Sequence, residues 1–331
     1  MDVRENDFNL KIIGMIPVFN ESDIIENVVR HLISQGISLA ILDNGSTDGT
    51  YEICSRFLGH GVISIERLVT ERFNFDLLEQ ELYRQVLDQN ADWALLSGAD
   101  EFLESPYPDL TLEQAIEFDN QKGYNLIQFN NFEFWPTEQD YASHEPDVKK
   151  RMRYYTWNDD MQFRCWRIIP DIRVTGTTGH YPQFPEGQEV RIPRTKYVLR
   201  HYRIRSYEQG IRKVFSERLP RYSDEERNKG LHVQYDKFER DPKFFIANSK
   251  NLTLYHEDGK WSLRKTFDWT WGLQAKQWAH PPHSQPLIRI ASKLPPFCTQ
   301  VWKSIFLRNK PLPPTLIQKA GNLKKNFEIT E

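Results

Sequence analysis

Two aspartates and a histidine stand where apolar runs end, the positions from which side chains meet a ligand in an open α/β sheet. Asp43 follows the run Ile37 to Leu42 and begins Asp43-Asn44-Gly45-Ser46-Thr47-Asp48-Gly49-Thr50. An acidic residue at the exit of a buried strand, then a tight turn, then a helix start is the layout of a nucleotide site. Asn44-Gly45 gives the turn its backbone freedom, and Ser46 or Thr47 is expected to cap the next helix. The plain alternative for the stretch taken alone is an ordinary strand-turn-helix connection. Asp100 closes the segment Trp93-Ala94-Leu95-Leu96-Ser97-Gly98-Ala99-Asp100. One carboxylate there suits Mg²⁺ or Mn²⁺, which take one or two protein ligands and complete their shells with phosphate oxygens and water. The plain alternative makes Asp100 and Glu101 a solvated loop pair. His201 follows Tyr197-Val198-Leu199-Arg200, and imidazole joins carboxylate in binding manganese, although a histidine after an apolar run is commonly a core residue.

The elements that must position these groups are legible as a repeating pattern. Lys11 to Ile16 reads as a buried strand with Pro17-Val18-Phe19-Asn20-Glu21 as its exit loop. Asn20 is expected to cap a helix whose apolar residues Ile24, Ile25, Val28, Val29, Leu32 and Ile33 recur at helical spacing, and Gly36 to close it. Strand Ile37 to Leu42 follows, then a helix, strand Val62 to Leu68, helix Phe75 to Gln89 and strand Trp93 to Leu96. Strands alternating with helices imply parallel pairing through crossovers. Further on, Ser206-Tyr207-Glu208-Gln209 is a capping box, opening a helix with Ile211, Val214, Phe215 and Leu219 on one face. Its positive amino end points towards His201, with Arg203, Arg205 and Lys213 nearby, a setting suited to a diphosphate or to a merely solvated basic face.

Three of these segments, Ile13 to Glu21, the Asp43 stretch and Gly98-Ala99-Asp100-Glu101-Phe102, resemble successive signatures of the family-2 glycosyltransferases. The match covers about the first 130 residues, in order. Leu199 to Gly210 resembles the His-Tyr…Ser-Glu segment of a bacterial branch of that superfamily. The resemblance implies a GT-A-type α/β fold with a mostly parallel central sheet, and sugar transfer from a nucleotide diphosphate sugar to a glycan or lipid-linked acceptor, with inversion. It implies that Asp43 contacts the base or ribose and that Asp100 holds the metal; Pro17, Asn20, Glu21 and Asn44 are the further donor-site candidates with Arg203, Arg205 and Lys213, and His201 is the candidate second metal ligand or diphosphate contact. The family usually carries Asp-X-Asp where this chain has Gly98-Ala99-Asp100. For the base that takes the acceptor proton, Glu133 and His180 are the choices made here, with Asp159, Asp160 and Glu186 as further options. The rival readings are a catalytically silent scaffold of the same fold and a sugar nucleotidyltransferase. The latter normally has a Gly-rich, Arg-containing loop after the first strand, which Pro17 to Glu21 does not resemble.

Composition agrees with a water-soluble enzyme. The chain has 331 residues and a formal net charge of −3, so no global nucleic-acid footprint is present. Cys54, Cys165 and Cys298 form neither a disulfide framework nor a zinc pattern, which fits a reducing cytoplasm. The first residues lack the basic start and apolar core of a signal peptide, and no apolar run of about 18 residues suggests a membrane span. The expected organisation is a catalytic domain over 1–220 and a helical, aromatic and basic extension over 221–331. In the latter, Trp261, Trp269, Trp271 and Trp278 read as packing or as a sugar platform. From Leu287 onward Arg289, Lys293, Lys303, Arg308, Lys310, Lys319, Lys324 and Lys325 alternate with apolar residues, which suits peripheral contact with the inner face of an anionic membrane or a solvated tail.

Overall fold

A computed structural model of the chain describes residues 10–140, 145–174, 182–222, 235, 238, 240–241, 244–256 and 260–263. Its elements are β1 (Ile12–Val18), α1 (Ile25–Ser34), β2 (Ser38–Asp43), α2 (Thr50–Ser55), β3 (Val62–Arg67), α3 (Phe75–Asp88), β4 (Trp93–Leu96), β5 (Glu101–Glu104), α4 (Leu112–Gln121), β6 (Leu126–Phe134), α5 (Val148–Arg151), β7 (Tyr154–Arg167), β8 (Tyr197–His201), α6 (Tyr207–Ile211) and β9 (Thr253–Leu254). The fold is mixed α/β around one large sheet with the strand order β3-β2-β1-β4-β7-β6-β8-β5, and β9 paired to β7.

The amino half of the sheet is parallel, as the alternation of strands and helices requires: β1 pairs with β2 and β4, and β2 with β3. The carboxyl half is mixed. Strand β7 runs antiparallel to β4, β6 and β9, and β5 antiparallel to β8, while β6 and β8 are parallel. The expected parallel character therefore belongs to the first four strands of the order. Alternation along β1 and β2 sends Ile16, Val18, Leu39 and Ile41 to one face, where Val28, Val29 and Leu32 of α1 and Ile116 of α4 cover them. Ile13, Met15, Ala40 and Leu42 go to the other face, beneath Leu78, Leu82 and Val86 of α3. Burial on both faces explains why these strands read as continuous apolar runs.

The described segments beyond residue 220 pack back on this body. Phe245, Ala247 and Leu252 join Trp135, Ile204 and Val214 in a third cluster, and Trp261 stacks on Phe132 with ring centroids 4.1 Å apart. Trp261 is thus packing; Trp269, Trp271, Trp278 and the basic stretch from Leu287 lie outside the described residues. Among the described residues no helix is long and apolar enough to cross a membrane. Cys54 is buried, and burial pushes its thiol up to about 12, in keeping with an inert core group.

One buried group gives the fold a pH dependence away from the cleft. Glu79 of α3 is 3% exposed, and its Oε2 has no hydrogen-bond partner among the described residues. Burial, opposed by Arg164 and helped by Asp76, raises its carboxyl to about 7. A carboxyl that holds its proton more tightly when folded favours the native state less as pH climbs from the ordinary glutamate range through 7. Glu79→Gln is therefore expected to stabilise the protein at pH 8 by about 3–4 kcal/mol, at roughly 1.4 kcal/mol per pKa unit, and to leave it nearly unchanged at pH 4.5. Denaturant midpoints at the two pH values check this; equal effects at both would refute it.

Candidate functional site

The carboxyl ends of β1 and β2 and the loop after β4 open onto a cleft of about 150 Å³, lined by Pro17, Val18, Phe19, Glu21, Asn44, Phe73, Phe75, Leu78, Gly98, Ala99, Asp100 and Arg218. Its lining combines three aromatic rings, two carboxylates and an arginine, which suits a ligand with a flat apolar part and a charged part.

Asp43 ends β2 fully buried. Its Oδ1 accepts from the backbone N–H of Gly45 and Ser46, both at 3.0 Å, and from Arg67 Nε at 2.9 Å, while its Oδ2 has no partner among the described residues. The first oxygen builds the turn; the second is left for something else. Helix α2 starts later than the sequence implied. Neither Ser46 nor Thr47 caps it: Gly49 precedes it in the left-handed region (φ 94°), and Asp48 Oδ1 accepts the Thr50 N–H at 3.1 Å. Ser46 Oγ instead accepts the Asn20 N–H at 3.0 Å. Asn20 in turn does not cap α1, whose N-cap is Ile24 without a side-chain bond. It sits at φ 53°, accepts the Thr47 N–H at 2.9 Å and donates to Glu217 at 3.1 Å. These bonds lock the two strand-exit loops together, which fixes the floor of the cleft.

Around Asp100 the structure concentrates buried charge. Lys213 Nζ lies 2.7 Å from Asp100 Oδ2 and 2.6 Å from Glu21 Oε1. Arg205 spreads its fork over Glu21 Oε2 at 2.6 Å, Asp23 at 2.7 and 2.8 Å, and the carbonyl of Tyr202 at 2.8 Å. Arg218 adds a bond to Glu21 at 3.1 Å. Burial opposes the charge on Asp100, but Lys213, His201 and Arg205 overcome it and hold the carboxyl well below the usual range. Lys213 and Arg218 come from a π-helical stretch, Arg212–Arg218, that continues α6. A single wide turn of this kind is frequent at functional sites, and here its five-residue step lets Arg212 reach Glu217 at 2.7 Å. The capping box is half formed: Ser206 Oγ accepts the Gln209 N–H at 3.1 Å, whereas Gln209 Oε1 accepts the Arg205 N–H at 3.0 Å.

His201 ends β8, in register with Glu101 of β5 on one side and Glu133 of β6 on the other. Its Nε2 is 3.4 Å from Asp100 Oδ1 and its Nδ1 3.3 Å from Glu133 Oε2. Burial works against a charged ring, yet Glu133 and Asp100 raise its pKa to about 10. Glu133, chosen from the sequence as a candidate base, is 2% exposed, does not line the cleft and pairs with His201 and with Arg203 at 3.3 Å. His180 and the side chains of Asp159 and Asp160 lie outside the described residues; Glu186 is exposed and away from the cleft lining.

Gly98, two residues before Asp100, has no room for a side chain. The space is taken: Glu101 folds back so that its Oε2 accepts the Gly98 N–H at 2.6 Å, and a Cβ at Gly98 would meet Glu101 Cδ at 2.9 Å. Arg164 neutralises Glu101 at 2.7 Å in a buried pair. The donor set left for a divalent cation is Asp100 Oδ1 with His201 Nε2. Their 3.4 Å separation is close to the roughly 3 Å between adjacent corners of an octahedral shell, and a cation there would take the place of the proton that His201 Nε2 now shares with Asp100. Among the described residues no three His, Cys, Asp or Glu side chains converge on one point.

The structure thus brings Pro17, Glu21, Asn44 and Asp100 to the cleft, sets Asn20, Asp43, His201, Arg205 and Lys213 in contact with its lining or floor, and keeps Arg203 on Glu133. Sequence reasoning missed Asp23, Arg67, Arg218 and Arg221, each paired across the fold.

A family model described as Glycosyl transferase family 2 matches residues 15–70, the stretch from β1 to just past β3. No curated protein matches the chain. Among solved structures, S. aureus TarS 1–349 aligns at 10% identity and a TM-score of 0.35 over 58% of this chain and 60% of that one. The same fragment in complex with UDP aligns at 11% identity and a TM-score of 0.30, over 61% and 63%. A longer S. aureus TarS structure aligns at 11% identity and a TM-score of 0.33, over 68% of this chain and 43% of that one. The chain therefore spans less than two thirds of those structures' length, and likeness at this level assigns nothing to it.

Proposed function

We propose that the chain is a glycosyltransferase that moves a sugar from a nucleoside diphosphate sugar to a glycan or lipid-linked acceptor, with inversion. One observation carries this reading: Asp43 ends β2 and Asp100 follows β4, on either side of β1, beside a cleft that Arg218 of the π-helical stretch also lines. That is the switch-point geometry in which open α/β sheets take nucleotides, and the family match over residues 15–70 supports it.

On this reading the aromatic rings lining the cleft seat the base, Asp43 hydrogen-bonds it, and Arg218 with Lys213 behind it attracts the diphosphate. A divalent cation held by Asp100 and His201 would neutralise charge on the departing diphosphate. Lys213 supplies a fixed positive charge at the same place, held between Glu21 and Asp100 so that little reorganisation is needed when negative charge develops. Glu133 serves as a positioning residue: it holds the His201 ring by Nδ1 and so aims Nε2 at Asp100. Contact of residues 287–331 with an anionic membrane, near a lipid-linked acceptor, belongs to the same proposal; co-sedimentation with anionic vesicles that weakens as salt rises would support it.

A scaffold reading draws on one feature, that every cation of the cluster already has a carboxylate partner. Product analysis separates the possibilities. Incubation with a panel of nucleotide sugars is expected to release a nucleoside diphosphate slowly even without acceptor. Release of pyrophosphate from a nucleoside triphosphate as its α-phosphate bonds to a sugar 1-phosphate would indicate nucleotidyl transfer, and no turnover of any donor would leave the scaffold reading.

A further inference from the structure

A second buried polar atom beside the cleft lacks a partner, and it is a donor. Arg221, just past the π-helical stretch, bonds through Nη2 to Asn44 Oδ1 and, at 3.0 Å, to the carbonyl of Thr70. Its guanidinium lies 4.0 Å over the ring of Phe19, and its backbone carbonyl accepts the Phe73 N–H at 2.9 Å. Asn44, Phe19 and Phe73 all line the cleft. The Nη1 group is buried without a partner among the described residues, as is Asp43 Oδ2 one residue from Asn44. A carboxylate oxygen that needs a donor and a guanidinium nitrogen that needs an acceptor flank the same lining residue without bonding each other. Leaving either unpaired in the bound state is costly, so a ligand that satisfies both is strongly preferred to one that satisfies neither.

We propose that Arg221 is a specificity-determining residue that reads the donor's base together with Asp43, selecting an edge with an N–H next to a C=O. This rests on the nucleoside diphosphate reading of the cleft. Uracil, thymine and guanine present such an edge. Cytosine and adenine present a bare ring nitrogen beside an amino group, which sets acceptor against Asp43 and donor against Arg221. Arg221 also fixes where the base lies, because its stem and fork are held by Phe19, Asn44 and Thr70.

Calorimetry of the full chain with UDP, GDP, CDP and ADP tests the assignment. UDP or GDP is expected to bind at least a hundredfold more tightly than CDP and ADP. Arg221→Met keeps an apolar stem over Phe19 and removes the donor; it should weaken the preferred diphosphate at least tenfold and narrow its lead over CDP. Arg221→Lys, which keeps the charge without the fork, should narrow it too and stands in if the Met variant does not fold. Equal binding of UDP, GDP and CDP by the native chain, or an unchanged ratio in both variants, overturns the role of Arg221 while the nucleotide site stands. Binding of none of the four overturns the site as well.

Discussion

Arg205→Ala is expected to destabilise the protein by about 3–5 kcal/mol, the range for removing one partner of a buried ion pair. Both carboxylates it serves sit close to the cleft, but they differ in exposure. Glu21 is 2% exposed at its side chain and Asp23 40%, so the loss falls on Glu21. Lys213 and Arg218 remain on Glu21 Oε1, leaving Oε2 buried with no donor from Arg205. The Tyr202 carbonyl also loses its guanidinium donor. Against a typical total of about 5–15 kcal/mol this is a large fraction, and the variant should unfold at much lower denaturant. Arg205→Lys should recover only part of the loss, because a single ammonium cannot span Glu21, Asp23 and a carbonyl at once. An unfolding free energy within about 1 kcal/mol of native for Arg205→Ala would show that this buried pair does not hold the fold together.

Asp100→Asn should act on turnover instead. The amide keeps the volume and Lys213 keeps Glu21, so the fold is expected to tolerate it. What disappears is the charge that draws Lys213 Nζ and His201 Nε2 together from two different elements. Fixed charges aimed at a developing anion typically contribute about 10²–10³ in rate, and a loss of that order in nucleoside diphosphate release is expected. Retention of more than half the native rate would remove Asp100 from the reacting region.

The sequence makes the amino half of the fold legible because its strands are buried on both faces and its helices on one. The 3.6-residue recurrence in α1 and the unbroken apolar runs of β1, β2 and β4 are direct consequences. Asp43 and Asp100 are visible for the same reason: a carboxylate directly after an apolar run marks a strand exit. Local capping is read less well. Asn20, Ser46 and Thr47 all have capping chemistry, but the bonds they make join two loops, and nothing in either loop alone announces the other. The charge cluster was half visible. Arg203, Arg205 and Lys213 stand out after His201, yet the partners that define them lie far back in the chain, as Glu21 does for Arg205, 184 residues away. Arg218 and Arg221 were hidden because the π-helical stretch breaks the helical period that would have placed them. Glu133 was found by strand alternation, but alternation gives the face and not the depth, and β8 covers it with His201.

The central claim is that this cleft binds a nucleoside diphosphate with Asp43 on its base. Asp43→Asn tests it most directly, since an amide oxygen at Oδ1 can still accept from Gly45, Ser46 and Arg67 while the partnerless Oδ2 becomes an NH₂ donor. Calorimetry should show the native chain binding UDP or GDP and the Asn variant, with an unchanged thermal midpoint, binding it about 10–100-fold more weakly, the loss for one hydrogen bond to a charged group. Equal affinity in the two proteins, or no binding by the native chain, would contradict the account.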